Sequence, residues 1–550
     1  MAPITRICSA VLLALAACAC ASARQPARSA LSNYVQARVA DAEGDTVGAL
    51  SAYQAALLAE PGNAVIAIRA FRQAVENGDR KLALQAAQQL EKADALPTDA
   101  MLLLVGDRLA MGDLPGARSL ADRLEADNSL VFLVPVLRAW IASAAREGDA
   151  ATQLDAARNS GLGVALLSEQ RAFIELLAGH KDAGVTLIKA SMSSDGRSGV
   201  TRLAAAAMLQ RKRDKAAALD LLDESEQAFR IACAQINAGK QLSGGVTSPV
   251  SGLAFFYARL ASDLARERAT LFALTLGRYA RFLDPNSPFV ALAEGQALAA
   301  NGLDDRAMTS ISSVSAQSAY APIAFESRVS LLERLGRGEE ALTLAQQMAA
   351  GSPRAVDQVR VGDILTRLGR RQEAANAYQR AIDASDQSGA PAPWGLWMLK
   401  GSALGQDNDW PAAQVALRKA AELGPDQPAI LNYLGYSMLE RRENIAEATR
   451  LIARASALRP DDTAITDSLG WAYFLAGDYG KAVTALEAAS LAEPTEPTIG
   501  EHLGDAYWRT GRRIEARYTW RSALLSADGN VAKRLADKID IGLTSANMAR

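Results

Sequence analysis

Between Ile465 and Pro494 the apolar residues return every three or four positions, in two runs separated by a polar turn. Leu469, Gly470 and Tyr473 share one face of the first run. Ala482, Leu486 and Ala489 share one face of the second, and Pro494 closes the stretch. That spacing predicts two amphipathic helices joined at Gly477-Asp478. The same offsets recur. From Pro497 they give Leu503, Gly504 and Tyr507, then Ala516, Trp520 and Ala523. From Pro428 they give Leu434, Gly435 and Met438, then Ala448, Ile452, Ala455 and Pro460. From Trp394 they give Gly401 and Leu404, then Ala413, Leu417, Ala420 and Pro425.

The residue types have physical reasons. A small residue midway along the first helix, and alanine early in the second, let two helices approach closely while larger neighbours fill the space beside them. Glycine at the turn accepts the left-handed conformation that ends a helix, and proline after the second helix stops it. Upstream the pattern fades. Gly362, Leu365, Ala374, Tyr378 and Ala381 keep it, as do Ala341, Ala345 and Pro353, then Gly295, Leu298, Ala307 and Ile311. Ala49, Tyr53, Ala56 and Pro61 keep it near the start. Between 128 and 240 the helical period persists but the signature decays. Polar Gly/Pro/Ser-rich breaks at 241–252 and 384–393 separate degenerate repeats (30–240), a central set (253–383) and a well-formed set (394–530). Residues 531–550 read as a charged capping helix and tail. A period of about 34 residues with these positions is the tetratricopeptide-repeat (TPR) signature. The resemblance implies an all-α, TPR-type α-solenoid of about fourteen stacked helix pairs forming a right-handed superhelix.

The first residues stand apart from the repeats. Arg6 precedes an apolar run from Ile7 to Ala17, too short to span a bilayer, which reads as a signal peptide (1–17). Leu15-Ala16-Ala17-Cys18 resembles a bacterial lipobox, which implies lipidation of Cys18 and a tether over 18–29. Lipoprotein sorting adds that Ala19, rather than aspartate, after the cysteine favours the outer membrane of a Gram-negative bacterium, facing the periplasm. An ordinary signal peptide cut after Ala21-Ser22-Ala23 is the alternative. The remaining cysteines, Cys8, Cys20 and Cys233, supply neither a disulfide framework nor a four-thiolate metal site, and Cys233 falls in an apolar helical run that predicts burial.

Composition agrees with packed helices: 49% of the 550 residues are hydrophobic but only 5% aromatic, which favours helix over strand. A net charge of −2 leaves no basic field for nucleic acid. No catalytic or metal constellation emerges, and no cofactor is expected. The two histidines, His180 in a turn and His502 on a first helix, stand without a zinc motif. The stretch Gly477–Ala482, which superficially matches a phosphate loop, is too short and lacks the hydroxyl after its lysine.

What remains is the inner groove, which in TPR arrays is lined by the first helices. Carried onto this chain, those positions are Asn432, Tyr433, Tyr436, Asp467, Ser468, Trp471, Phe474, Glu501, His502, Asp505, Trp508 and Arg509. Six of the seven tryptophans lie between 394 and 520, and exposed Trp, Tyr and Arg in a groove are typical binding hot spots; the alternative is that several of these aromatics simply pack between repeats. The groove lacks the lysine–asparagine set with which chaperone-binding TPR domains hold a dicarboxylate. The blocks DSLGW and HLGDAYWRTGR, the lipobox and the segment SGLAFFYARLASDL together resemble the large TPR lipoproteins of Gram-negative bacteria. The functionally understood relative is the outer-membrane lipoprotein adaptor of a periplasmic carboxy-terminal processing protease. That resemblance implies a non-catalytic, protein-binding adaptor whose partners are a processing protease and wall hydrolases. A structural part of an export or assembly machine and a glycan-binding module are the alternatives.

Overall fold

The computed structural model describes residues 29–549, apart from 149, 160–161, 193–197, 224–225, 352–353, 388 and 390. The expected signal peptide, Cys18 and all but the last residue of the tether lie outside the described residues. Helix follows helix throughout, and no strand occurs among the described residues. The fold is the all-α TPR-type solenoid that the repeat pattern predicts. The chain divides into two compact units at Leu335/Gly336.

The first unit contains α1 (Ala30–Ala42), α2 (Thr46–Ala59), α3 (Ala64–Asn77), α4 (Arg80–Lys92), α5 (Thr98–Met111), α6 (Leu114–Ala126), α7 (Val134–Ala145), α8 (Val164–Ala178) and α9 (Lys181–Met192). It continues with α10 (Ser198–Arg211), α11 (Lys215–Asp220), α12 (Gln227–Asn237), α13 (Pro249–Arg266), α14 (Thr270–Leu283), α15 (Pro288–Ala300), α16 (Asp304–Ser312) and α17 (Ala321–Arg334). Where the signature decays, the pairing changes too. A 3-10 turn over Thr152–Asn159 replaces the helix that would partner α7, and α11 is only 6 residues long. Cys233 on α12 is half-buried, less covered than its apolar run suggests.

This unit also folds back on itself. α13, buried along most of its length, presses Trp140 against Gly252 and packs Phe255 between Phe173 and Phe289. The Tyr257 hydroxyl donates to the Leu102 carbonyl at 3.1 Å, and Arg278 to the Glu76 carbonyl at 2.9 Å. The polar segment 241–252 is packed rather than free. Leu242 and Val246 are buried, and Ser248 and Ser251 form a capping box for α13.

The second unit contains α18 (Gly338–Gly351), α19 (Ala355–Arg367), α20 (Arg371–Gln387), α21 (Trp394–Gln406), α22 (Trp410–Leu423), α23 (Pro428–Glu440), α24 (Ile445–Leu458), α25 (Thr463–Leu475), α26 (Tyr479–Ala492), α27 (Pro497–Arg509), α28 (Arg513–Leu524) and α29 (Gly529–Ile541). Here the hairpins are regular: α19–α20, α21–α22, α23–α24, α25–α26 and α27–α28. Each closes on a glycine of its first helix, with Gly362 against Tyr378, Gly401 against Leu417, Gly435 against Ile452, Gly470 against Leu486 and Gly504 against Trp520. A Cβ on Gly470 would stand 2.5 Å from Leu486 Cγ. At the turn, Gly477 is left-handed (φ 83°), and the Asp478 side chain caps α26 by accepting from the Lys481 amide.

The glycine contact generates a prediction. Gly470→Ala should destabilise the second unit by about 1–3 kcal/mol, because overpacking outweighs the gain in helix propensity. Leu486→Ala should cost about 2–5 kcal/mol through its cavity. In urea melts followed by circular dichroism, the double variant should lose less than the sum, since the added methyl enters the vacated space.

Candidate functional site

First helices α23, α25 and α27 stand side by side and present one face of each to a common groove. The opening there has a volume of about 570 Å³. Its walls are mainly apolar, from Met398, Ile465 and Ile499, with Tyr433 and Tyr436 on one side. Its rim carries Asp462, Glu493 and Glu496 from the turns between hairpins, with Arg459 the cation among them. Of the groove residues expected from the sequence, Asn432, Tyr433, Tyr436, Asp467 and Ser468 line this opening.

Their chemistry is uneven. Tyr433 is already engaged, its hydroxyl donating to Ser402 Oγ at 3.0 Å. Ser468 donates back to the Ala464 carbonyl within its own helix. Burial, reinforced by the charges of Glu440, Asp467 and Glu501, pushes the Tyr436 phenol up, so it stays a neutral donor. The Asn432 amide oxygen is different, being buried and without a hydrogen-bond partner. A buried acceptor left empty costs free energy comparable to a lost hydrogen bond.

Five expected groove residues are instead part of the core. Trp471 is fully buried, stacked between Phe474 (centroids 4.7 Å apart) and His502 (4.2 Å). His502 Nδ1 lies 2.9 Å from Asp467 Oδ1 and is sealed from solvent. Glu501 and Asp505 are also fully buried, and the cause is α29. Arg534 grips Glu501 through Nε (2.9 Å) and Nη2 (2.6 Å), while Lys538 Nζ sits 2.7 Å from Glu501 and 2.8 Å from Asp505. The capping helix therefore turns Glu501 and Asp505 inward, while Trp471, Phe474 and His502 are buried where they stack on one another between neighbouring first helices. None of the five is an open ligand contact, which corrects that reading. Trp508 is half-buried against Trp520, with Arg513 and Arg517 over its ring. Arg509 is exposed and lies over Tyr479.

Sequence reasoning missed Lys538, though a signal existed: it follows Leu535 by three positions, on the apolar face of α29. A lysine there is either an error of packing or the partner of buried carboxylates. Burial works against the Glu501 carboxylate, yet Arg534 and Lys538 hold it below the usual range, whereas burial wins at Asp505 and pushes that carboxyl up.

A cleft of about 640 Å³ in the first unit, near Glu175 and His180, holds none of the expected residues. Among the described residues no three His, Cys, Asp or Glu side chains cluster as metal ligands, and no helix is long and apolar enough to cross a membrane.

Comparison with known proteins finds one matched repeat and several partial likenesses. Residues 358–388 match the tetratricopeptide repeat. A TPR repeat-containing protein of Pseudomonas aeruginosa is 28% identical over 193 residues, 29% of this chain and 32% of that protein, so the chain spans about a third of the curated relative's length. Among solved structures, PilF of Pseudomonas aeruginosa is similar over 33% of this chain and 83% of its own, at 15% identity and a TM-score of 0.29. A tetratricopeptide repeat protein of Parabacteroides merdae covers 46% of this chain and 98% of its own, at 13% identity and a TM-score of 0.35. The chain is a protein of tetratricopeptide repeats, and such repeats are protein-binding scaffolds.

The buried ion cluster generates a prediction. Lys538→Met should cost about 3–5 kcal/mol at neutral pH, because two carboxylates lose their buried cation. Arg534 still holds Glu501, so the change falls on Asp505, whose carboxyl burial already pushes up in wild type and pushes up further once Lys538 is gone. A carboxyl raised in the folded state binds its proton there before it does in the unfolded chain, so the variant's deficit in melting temperature against wild type should narrow as pH falls from about 7 to about 5.

Proposed function

We propose that this protein is a non-catalytic adaptor lipoprotein of the cell envelope, whose second unit holds a segment of a partner protein in the groove between α23, α25 and α27. The observation that carries the reading is the Asn432 amide oxygen, buried and unpartnered in an open, largely apolar groove beside Tyr436. An extended segment supplies what this surface lacks, a main-chain N–H for the amide and apolar side chains for the walls. The acidic rim favours a segment with basic flanks. A partner of the expected kind is a periplasmic carboxy-terminal processing protease or a wall hydrolase. Lipid on Cys18 would tether the scaffold at the outer membrane and raise the partner's effective concentration there. Glycan binding is less well supported, because Trp471, the ring on which a sugar would stack, is inside the core.

The test is capture from envelope extract, read by mass spectrometry, with wild type beside an Asn432→Leu/Tyr436→Ala variant of unchanged helicity. A processing protease or wall hydrolase should be enriched on wild type and reduced at least about tenfold on the variant. Equal recovery of the same proteins on both baits would remove the groove assignment. Secretion or assembly subunits in their place would favour the export-machine reading.

The anchor has its own test. Cys18→Ser should abolish labelling with radioactive palmitate and move the protein from the membrane pellet to the supernatant. Unchanged labelling would reject lipidation at Cys18.

A further inference from the structure

The chain beyond α29 stays on the repeat surface. At Gly542 (φ 84°) it turns so tightly against Trp508 that a Cβ there would collide with the indole. A small turn follows: Asn547 Oδ1 accepts from the Thr544 amide (2.7 Å) and hydroxyl (3.0 Å), and Asn547 Nδ2 donates to the Gly542 carbonyl (2.9 Å). That turn delivers Met548 and Ala549 to the floor formed by α25 and α27, where Ala549 is buried and Leu543 and Met548 pack on the same apolar cluster as Trp471.

Ala549 is held by both of its main-chain groups. Its amide donates to Asp505 Oδ2 at 3.4 Å, and its carbonyl accepts from Arg442 Nη2 at 3.2 Å. The acceptor comes from α27 and the donor from the turn after α23, so the residue is clamped from two hairpins. Main-chain clamping with a shallow apolar pocket is how a groove holds a short extended segment with little dependence on its sequence. Arg442 suits the purpose. It is left-handed (φ 56°), lies 5.8 Å over the Trp471 ring, and makes no ion pair among the described residues. The contact holding the segment is thin, since Thr544, Ser545 and Ala546 are exposed and one residue supplies both clamp bonds. Segments of this kind open at low cost compared with the repeats beneath them.

We propose that the floor formed by Trp471, Asp505 and Arg442 is a second peptide seat, distinct from the groove at Asn432. Residues 543–549 fill it in cis, and a partner segment of the same chemistry displaces them. That segment is short, with a small residue in the clamp and an unbranched apolar residue before it. This rests on the reading of the chain as a protein-binding scaffold and adds where, and in competition with what, a second contact is made.

The probe is a fluorescein-labelled peptide of residues 541–550, measured by anisotropy against the full chain and against a chain ending at Gly542. The shortened chain should bind it at least about tenfold more tightly than the full chain, and Arg442→Gln in the shortened chain should lose most of that affinity. Should the shortened chain lose helicity, Met548→Asp/Ala549→Asp in the full chain evicts the segment with α29 intact and should bind the peptide like the shortened chain. No binding to a folded, evicted chain, or equal binding to evicted and full chains, overturns the proposal. Tyr436→Ala, in the other groove, should leave peptide affinity unchanged. Loss of partner capture in that variant with peptide binding retained separates the two sites.

Discussion

The close approach of two helices at a glycine is the constraint on which the second unit depends. Gly401, Gly435, Gly470 and Gly504 each admit a bulky side chain of the following helix into space that any Cβ would fill. The contact lets the two helices of each hairpin approach closely at the same place in the repeat. It is also why the residue opposite can vary among Leu, Ile and Trp while the glycine does not change. Dispersion and burial stabilise the pair, but the geometry comes from what is missing at the glycine.

A hairpin built this way cannot satisfy itself. Its outer apolar face is buried only by a neighbour, so every array ends on an uncovered face. In the second unit the cover is α29, and the cover is ionic as well as apolar. Arg534 and Lys538 neutralise Glu501 and Asp505, which then stop being groove residues and become core. The groove that remains open is displaced by about one hairpin toward α23, where Asn432 still lacks a partner.

This explains what was legible in the sequence. Helix bounds in the second unit follow the glycine, alanine and proline offsets closely, because each offset records a steric event inside one hairpin: Gly477 and Pro494 bracket α26 as expected. The groove positions were half legible. Asn432, Tyr433 and Tyr436 line the opening since nothing later in the chain covers them. Glu501 and Asp505 occupy equivalent positions yet are buried, because their fate depends on a helix 30 or so residues further on, an encounter that no repeat period encodes. Trp471 is buried by its stacking on Phe474 and on His502 of the next hairpin. In the first unit the fold-back of α13 and α14 onto α3 and α5 was illegible for the same reason. Contacts such as Tyr257 to Leu102 join residues that the repeat treats as unrelated.

Why the cap is ionic follows from register. Well-packed apolar residues could cover the last hairpin with equal or greater stability, since desolvating charges takes back most of what pairing returns. They would also tolerate sliding. A slip of α29 by one turn, about 5.4 Å, would bring one of its two cations near the place of the other, since Arg534 and Lys538 are one turn apart, and would leave Glu501 and Asp505 to share a single cation. Buried carboxylates short of a partner are costly, so the ion cluster favours one register more strongly than an apolar seam would. Register matters here because it decides where Gly542 falls. In this one the turn at Gly542 fits against Trp508 and sets Ala549 between Asp505 and Arg442. The same Asp505 that receives Lys538 also receives the Ala549 amide, so the group that locks the cap is the group that seats the segment beyond it.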